Sequence, residues 1–87
     1  MGSFALNIGY NNSIVKARIL AIISADAAPA RRLREEARQA GRLIDATNGR
    51  KTRSVIVMDT THVVLSAVET ATLAERVETD GQISRST

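Results

Sequence analysis

Residues 41–53 constrain the fold of this chain more than any other stretch. Residues 43–46 form a strand-sized apolar segment, and Asn48-Gly49 follows, the pair that most readily adopts the positive φ angles of a two-residue hairpin turn. The pattern predicts a hairpin that pairs residues 43–46 with residues 54–58. Three cations would lie at its tip: Arg50, Lys51 and Arg53.

The N-terminal third of the sequence has the alternation of β-strands. Residues 4–8 are an apolar run closed by Gly9 and a cluster of turn-forming residues, which predicts a strand and a hairpin turn. Residues 13–23 are the longest strand candidate. One face is entirely apolar and predicted to enter the core, and the other carries Lys16 and Arg18. The predicted core face consists of Val15, Ala17, Ile19, Ala21 and Ile23.

The remaining elements predict an α+β fold. Pro29 suits a first helical turn, residues 30–40 are good helix formers, and Gly41 stands where a helix terminator belongs. Residues 62–67 read as a further strand, and Thr70 or Thr72 as the cap of a short C-terminal helix of about two turns. We therefore expect a mostly antiparallel sheet of about five strands with one central helix and a short C-terminal helix.

Size and composition point towards self-association. A domain of 87 residues buries only about 60% of its unfolded surface. The chain has no cysteine and one histidine, so neither disulfides nor a structural zinc can add stability. We expect residues 1–77 to be a single DNA-binding and oligomerisation domain and residues 78–87, which lack an apolar period, to be a disordered tail.

No apolar run approaches the ~20 residues of a membrane span, so the expected location is cytoplasmic, without a membrane partner.

The charges are divided unevenly along the chain. Residues 16–53 contain ten cations and four anions, whereas the remainder contains two cations and five anions. The basic part is suited to a polyanion. Because aromatic residues for base stacking are almost absent, contacts with the sugar-phosphate backbone of duplex DNA fit better than single-strand binding. An RNA-binding module and a non-enzymatic scaffold that docks an acidic protein are the alternatives.

The residues do not favour catalysis or nucleotide binding. His62 is the sole histidine, and no Gly-x-Ser-x-Gly nucleophile elbow is present. Residues 49–52 are similar to the end of a phosphate-binding loop, but Ile44 occupies the position of its first glycine. We therefore expect a protein that is not an enzyme and that needs no cofactor, metal or small-molecule ligand. The carboxylates in or beside the predicted sheet are Asp45, Asp59 and Glu69.

Short segments spread over residues 4–77 resemble the RemA family of bacterial extracellular-matrix regulators. The most specific block runs from Leu43-Ile44-Asp45-Ala46-Thr47 to Thr52-Arg53. The other matching segments are Asn7-Ile8-Gly9, Ala17-Arg18-Ile19, Ala28-Pro29, Glu36-Ala37-Arg38, Gly49-Arg50, Met58-Asp59 and residues 62–68.

This resemblance implies a LytTR-like DNA-binding protein. Such proteins assemble from dimers into a closed ring, carry DNA on a basic outer surface and activate operons for biofilm matrix. Arg18 and Arg50 match positions that the family marks for DNA contact. Lys51 stands where arginine is usual, and Asn48 where an aromatic residue is common.

The residues' own pattern adds Arg53 as a fourth candidate for DNA contact. The structural alternatives remain open at two positions. Arg18 could instead pair with Asp45 or another carboxylate, and Arg53 could be a structural ion-pair partner.

Overall fold

The structure, a computed structural model, describes residues 4–85, with side chains described for residues 4–78. It is an α+β fold with six strands and two α-helices, and a short 3₁₀ turn at Lys16–Arg18 separates the second and third strands. In chain order the elements are β1 (Ala5–Gly9), β2 (Asn12–Val15), β3 (Ile19–Ser24), α1 (Ala28–Gln39), β4 (Leu43–Asp45), β5 (Ser54–Met58), β6 (Val63–Ser66) and α2 (Thr70–Arg85).

Four strands form the main sheet in the order β3-β5-β6-β4, and β1 and β2 form a separate antiparallel hairpin. Within the main sheet β5 is antiparallel to β3 and β6, whereas β4 runs parallel to β6. One face of this sheet packs against α1, and the other packs against the hairpin and α2. The α+β class predicted from the sequence is confirmed.

Alternation along β5 and β6 divides the interior into two layers. Val55, Val63 and Leu65 pack with two alanines of α1 on one side of the sheet. On the other side, Ile56 and Val64 pack within a cluster whose remaining buried members are Leu6, Ile8, Ala46 and Leu73. Because the α1 contact is made by Ala30 and Ala37, which are 0% and 5% exposed, the helix backbone approaches the sheet closely.

The predicted hairpin between residues 43–46 and 54–58 is wrong. β6 lies between β4 and β5, so these two strands are not neighbours. All four residues of β6 are buried, and a strand that is buried on both faces belongs in the interior of a sheet. Pairing β4 directly with β5 would place this apolar strand at the edge of the sheet.

The predicted continuous strand over residues 13–23 is also wrong. The Lys16–Arg18 turn interrupts it, and the pairing of β3 with β5 shifts register between Ile19 and Ala21. Both irregularities disturb the strict alternation of side chains that the prediction assumed. As a result Ile22, assigned to the outer face, packs on the α2 layer together with Ile19, whereas Ile23 packs on the α1 layer.

The sequence predicted where α1 ends but not how long α2 is. Gly41 has a φ of 71°, and the N–H groups of Gly41 and Arg42 donate to the carbonyls of Arg38 and Ala37. This is the glycine-terminated end that was predicted for α1. By contrast α2 has 16 residues rather than about two turns. It continues past Glu78, where the predicted tail begins; residues 86–87 lie outside the described residues.

Leu73 tests whether α2 is part of the core. Its side chain is 0% exposed against Ile56 and Val64, so Leu73→Ala should lower the free energy of unfolding by about 2–5 kcal/mol. Urea denaturation at fixed protein concentration measures this loss. Ile44→Ala is the control, because Ile44 is 48% exposed and should give a much smaller change. Equal effects would contradict the packing of α2.

Candidate nucleic-acid interface

The basic loop, residues 46–53, is fastened at both ends to the same strand. The Ala46 N–H donates to the Leu65 carbonyl at 2.9 Å, and the Arg53 N–H donates to the Ser66 carbonyl at 2.8 Å. Since these acceptors are the last two residues of β6, the loop crosses over the carboxyl end of that strand. The cations of the loop are thereby held at one end of the sheet.

Local hydrogen bonds shape the interior of the loop. Oδ1 of Asp45 accepts from the Thr47 N–H at 2.9 Å and from the Thr47 hydroxyl at 2.6 Å. The Arg50 N–H donates to the Thr47 carbonyl at 3.0 Å, while Asn48 and Gly49 have φ angles of 54° and 78°. The Asn48-Gly49 turn therefore forms with the positive φ angles that were expected, although it closes a crossing loop instead of a hairpin.

The hydrogen bonds from Thr47 lower the pKa of Asp45, with a smaller contribution from the charge of Arg34. The side-chain hydroxyl is the larger cause and the backbone N–H the next. Thr47 is itself 2% exposed, so its hydroxyl has little freedom to turn towards water. The ionised carboxylate is thus the form that supports the turn.

Arg50 and Lys51 present charge to solvent. Both are exposed, and in the part of the chain that the structure describes neither takes part in an ion pair. A cation without a carboxylate neighbour can engage a phosphate without first breaking an internal pair. Among the four predicted DNA-binding residues, these two carry charge that no ion pair of the described residues neutralises.

Arg53 and Arg18 differ because each has a carboxylate partner. Arg53 lies 3.1 Å from Glu69, and Arg18 lies 3.2 Å from both carboxylate oxygens of Asp59. Both pairs are exposed, and exposed pairs contribute at most about 1 kcal/mol. Each guanidinium group can therefore leave its carboxylate partner and bind a stronger anion.

The structure brings Arg50, Lys51 and Arg53 together and leaves Arg18 apart. In the pairing of β3 with β5, Ile19 lies opposite Met58 and Ser24 lies opposite Ser54. Arg18 is adjacent to Ile19, whereas Arg53 is adjacent to Ser54. At about 3.3 Å per residue, the length of β3 separates Arg18 from the loop by about 16 Å within one protomer.

Comparison with known proteins identifies the family. Residues 5–77 match the profile of the RemA-like family, described as extracellular matrix regulatory protein A-like. This chain belongs to the RemA-like family.

Relatives at about half identity span nearly the whole RemA-like chain. A protein from Syntrophobacter fumaroxidans is 50% identical over 78 residues, covering 90% of this chain and 83% of the relative. One from Maridesulfovibrio salexigens is 55% identical over 71 residues (82% and 83%), and one from Geobacillus sp. (strain WCH70) is 51% identical over 77 residues (88% of each). Each bears the name "Putative regulatory protein".

His62, the one histidine of this RemA-like chain, is engaged locally, because its Nδ1 lies 2.7 Å from the Thr60 hydroxyl. On α1, Glu35 pairs with Arg38 of the next helical turn at 3.0 Å. Within residues 4–78, no group of three or more potential metal ligands occurs. Among the described residues, no helix has the length and apolar character to cross a membrane.

The sequence predicted as alternatives that Arg18 and Arg53 pair with carboxylates, and the structure confirms both ion pairs, with Asp59 and Glu69 as the partners. Asp45, the carboxylate named for Arg18, instead accepts hydrogen bonds from Thr47. The Asp-x-Thr spacing of Asp45 and Thr47 is a signal for a local turn that could have been used. No local spacing relates Arg18 to Asp59, since that pair spans 41 positions of sequence.

Asp45→Asn should weaken the loop in a pH-dependent manner. Because the folded pKa of Asp45 is lowered, its ionisation stabilises the protein above the unfolded value of about 3.9, and this stabilisation is lost as the pH falls through the folded pKa. We expect the variant to lose about 1 kcal/mol at neutral pH and to approach the wild type in acid. Denaturation between pH 7 and pH 3 checks this, and a pH-independent difference would contradict it.

Proposed function

We propose that this protein is a cytoplasmic DNA-binding transcriptional regulator that binds duplex DNA through the basic loop of several protomers in a homo-oligomeric ring. Arg50 and Lys51 form the primary contact, with Arg53 and Arg18 added after exchange of their ion pairs. The RemA-like family and the regulatory names of the relatives support a regulatory role rather than catalysis. By the family resemblance, the regulated genes would include those for biofilm matrix.

The observation that carries this proposal is the combination of free charge and fixed backbone in the basic loop. Arg50 and Lys51 have no ion-pair partner among the described residues, while the backbone is bonded to β6 on both sides. A cation on a fixed backbone loses less entropy on meeting a phosphate than one on a mobile tail. No aromatic residue lies in the loop, so the contact is with the DNA backbone rather than with unstacked bases.

Oligomerisation supplies the affinity that one domain lacks. A single protomer offers about four cationic contacts, which gives weak binding at physiological salt. When several copies are held in one assembly, each later contact becomes intramolecular and its effective concentration rises. A ring that repeats the basic loop along a duplex uses this gain, and the contact requires no particular base sequence at each protomer.

Arg50→Ala tests the proposal directly. We expect duplex affinity to fall at least about tenfold, since one contact is lost in every protomer of the assembly. The slope of log affinity against log salt should also fall by about 0.9 for each phosphate contact that is lost. Gel-shift titration at several salt concentrations measures both, and light scattering should show an unchanged oligomer.

Arg38→Ala is the matched control, because it removes the same charge from α1, where Arg38 pairs with Glu35. Its affinity for DNA should stay close to that of the wild type. Wild-type affinity in Arg50→Ala, or equal losses in both variants, would contradict the role of the loop. Competition with double-stranded and single-stranded RNA at matched salt completes the test, and preferential RNA binding would favour the alternative of an RNA-binding module.

A further inference from the structure

We infer that β3 pairs with β3 of a second copy, in antiparallel orientation, and that this pairing builds a joint basic surface from Arg18 of one protomer and the basic loop of the other. The pairing itself follows from the sheet edge and does not require DNA. The joint surface rests on the proposed function.

The outer edge of β3 has the properties of a pairing surface. β3 is the terminal strand of the main sheet, and no strand of the described chain pairs with its outer side. Its six residues, Ile19–Ser24, carry no charge, although exposed edges are normally protected by a charged residue or a proline. Leu20, at the register shift, is 68% exposed. Such an uncharged edge favours pairing with another strand.

Grooves on both faces of this edge leave space for the side chains of an added strand. On the α1 side, a groove of about 570 Å³ is lined by Leu20, Leu33 and Val57. On the α2 side, a groove of about 350 Å³ is lined by Ile22, Val77 and again Leu20. The opposite edge of the sheet, β4, is a weaker candidate because it has only three residues and ends at the charged Asp45.

The charges at the two ends of β3 favour a second copy of this strand, in antiparallel orientation, as the pairing partner. Lys16 and Arg18 precede the strand, whereas Asp26 follows it. A parallel neighbour of the same kind would oppose like charges, but an antiparallel copy opposes the basic end of one strand to the acidic end of the other. A strand that is complementary to itself in this way fits a two-fold symmetric pair.

The register follows from which face each residue occupies. A two-fold axis perpendicular to the sheet keeps the α1 face of both copies on one side, so opposed residues must share a face. An axis through Ile22 meets this condition, because Ala21 then opposes Ile23 of the other copy. Within one copy these two residues lie opposite Val57 and Val55, which are on the α1 side of the sheet. In this register the Lys16–Arg18 turn of one copy lies towards Asp26 at the far end of β3 in the other copy.

Within one protomer, about 16 Å separates Arg18 from the basic loop. The pairing would bring Arg18 close to the basic loop of the other protomer. Asp26 follows Ala25, whose N–H donates to the Arg53 carbonyl at 3.0 Å. Arg18 of one protomer would therefore lie beside the basic loop of the other. Arg50 and Lys51, which take part in no ion pair among the described residues, would then adjoin Arg18 of the other protomer, whose pair with Asp59 is exposed. A phosphate backbone would contact cations of both protomers at once, so DNA binding would stabilise the pair.

Leu20→Lys tests the pairing without DNA. A lysine on an edge strand opposes strand addition, and Leu20 is exposed enough that the fold should tolerate it. We expect sedimentation to show a smaller species than the wild type, with circular dichroism unchanged. Ile44→Lys adds the same charge to the half-exposed β4 edge and should leave the assembly intact. A monomeric wild type, or wild-type mass in Leu20→Lys, would overturn the proposal.

Cysteine cross-linking tests the orientation, since the chain has no cysteine of its own. In the inferred register Ile22→Cys meets its own copy across the axis and should form a disulfide-linked dimer under mild oxidation. Leu20→Cys would lie about 13 Å from its own copy, beyond the reach of a disulfide, and should not cross-link. Cross-linking by both variants would indicate parallel pairing and overturn the inferred geometry, as would cross-linking by neither.

DNA titration separates the pairing from the proposed function. Leu20→Lys should bind a long duplex at least about tenfold more weakly than Ile44→Lys, although both variants gain a cation. Equal affinities with a dissociated Leu20→Lys would overturn the joint surface. If the wild type paired through β3 but did not bind DNA, the proposed function would fail while the edge pairing stood.

Discussion

Burial of β6 on both of its faces is the constraint on which the rest of the structure depends. Val63 and Leu65 contact the α1 layer, Val64 the α2 layer, and the Ser66 hydroxyl donates to the Ile8 carbonyl at 2.8 Å. A strand with these surroundings needs a neighbour on each side, and β5 and β4 occupy those positions. The chain between β4 and β5 must then cross the end of β6. The basic loop therefore crosses the end of the sheet because the apolar strand β6 must be buried between β4 and β5.

The same arrangement explains how the charges are distributed. Two of the candidate arginines are balanced by carboxylates in exposed ion pairs: Arg18 by Asp59 and Arg53 by Glu69. At the crossing, the backbone is bonded to β6 while the side chains of Arg50 and Lys51 extend into solvent. Backbone hydrogen bonds to β6 and hydrogen bonds from Thr47 to Asp45 fix the position of Arg50 and Lys51 without an ion pair at either residue. The positive charge is consequently available to an external anion, and the proposed DNA contact costs little internal stabilisation.

The outer edge of β3 offers a surface for pairing with a second protomer. A chain of 87 residues that is divided into two thin layers has little core, and its longest edge strand in the main sheet carries no charge. Pairing of that edge would enlarge the core and would bring together cations that β3 keeps apart in one copy. A second protomer would then extend the sheet, which raises stability, and would complete the basic surface that binds a polyanion.

The sequence by itself determined the local features: the end of α1 at Gly41, the positive φ angles at Asn48-Gly49, the α+β class and the basic character of residues 50–53. Each depends on the conformational preference of one or two residues or on a composition that context does not alter. Only the tertiary structure decided which strands are neighbours, which arginines are neutralised and that Arg18 lies far from the loop. Strand order depends on burial of β6 by segments distant in sequence, and ion pairs such as Arg18–Asp59 exist only after those segments meet.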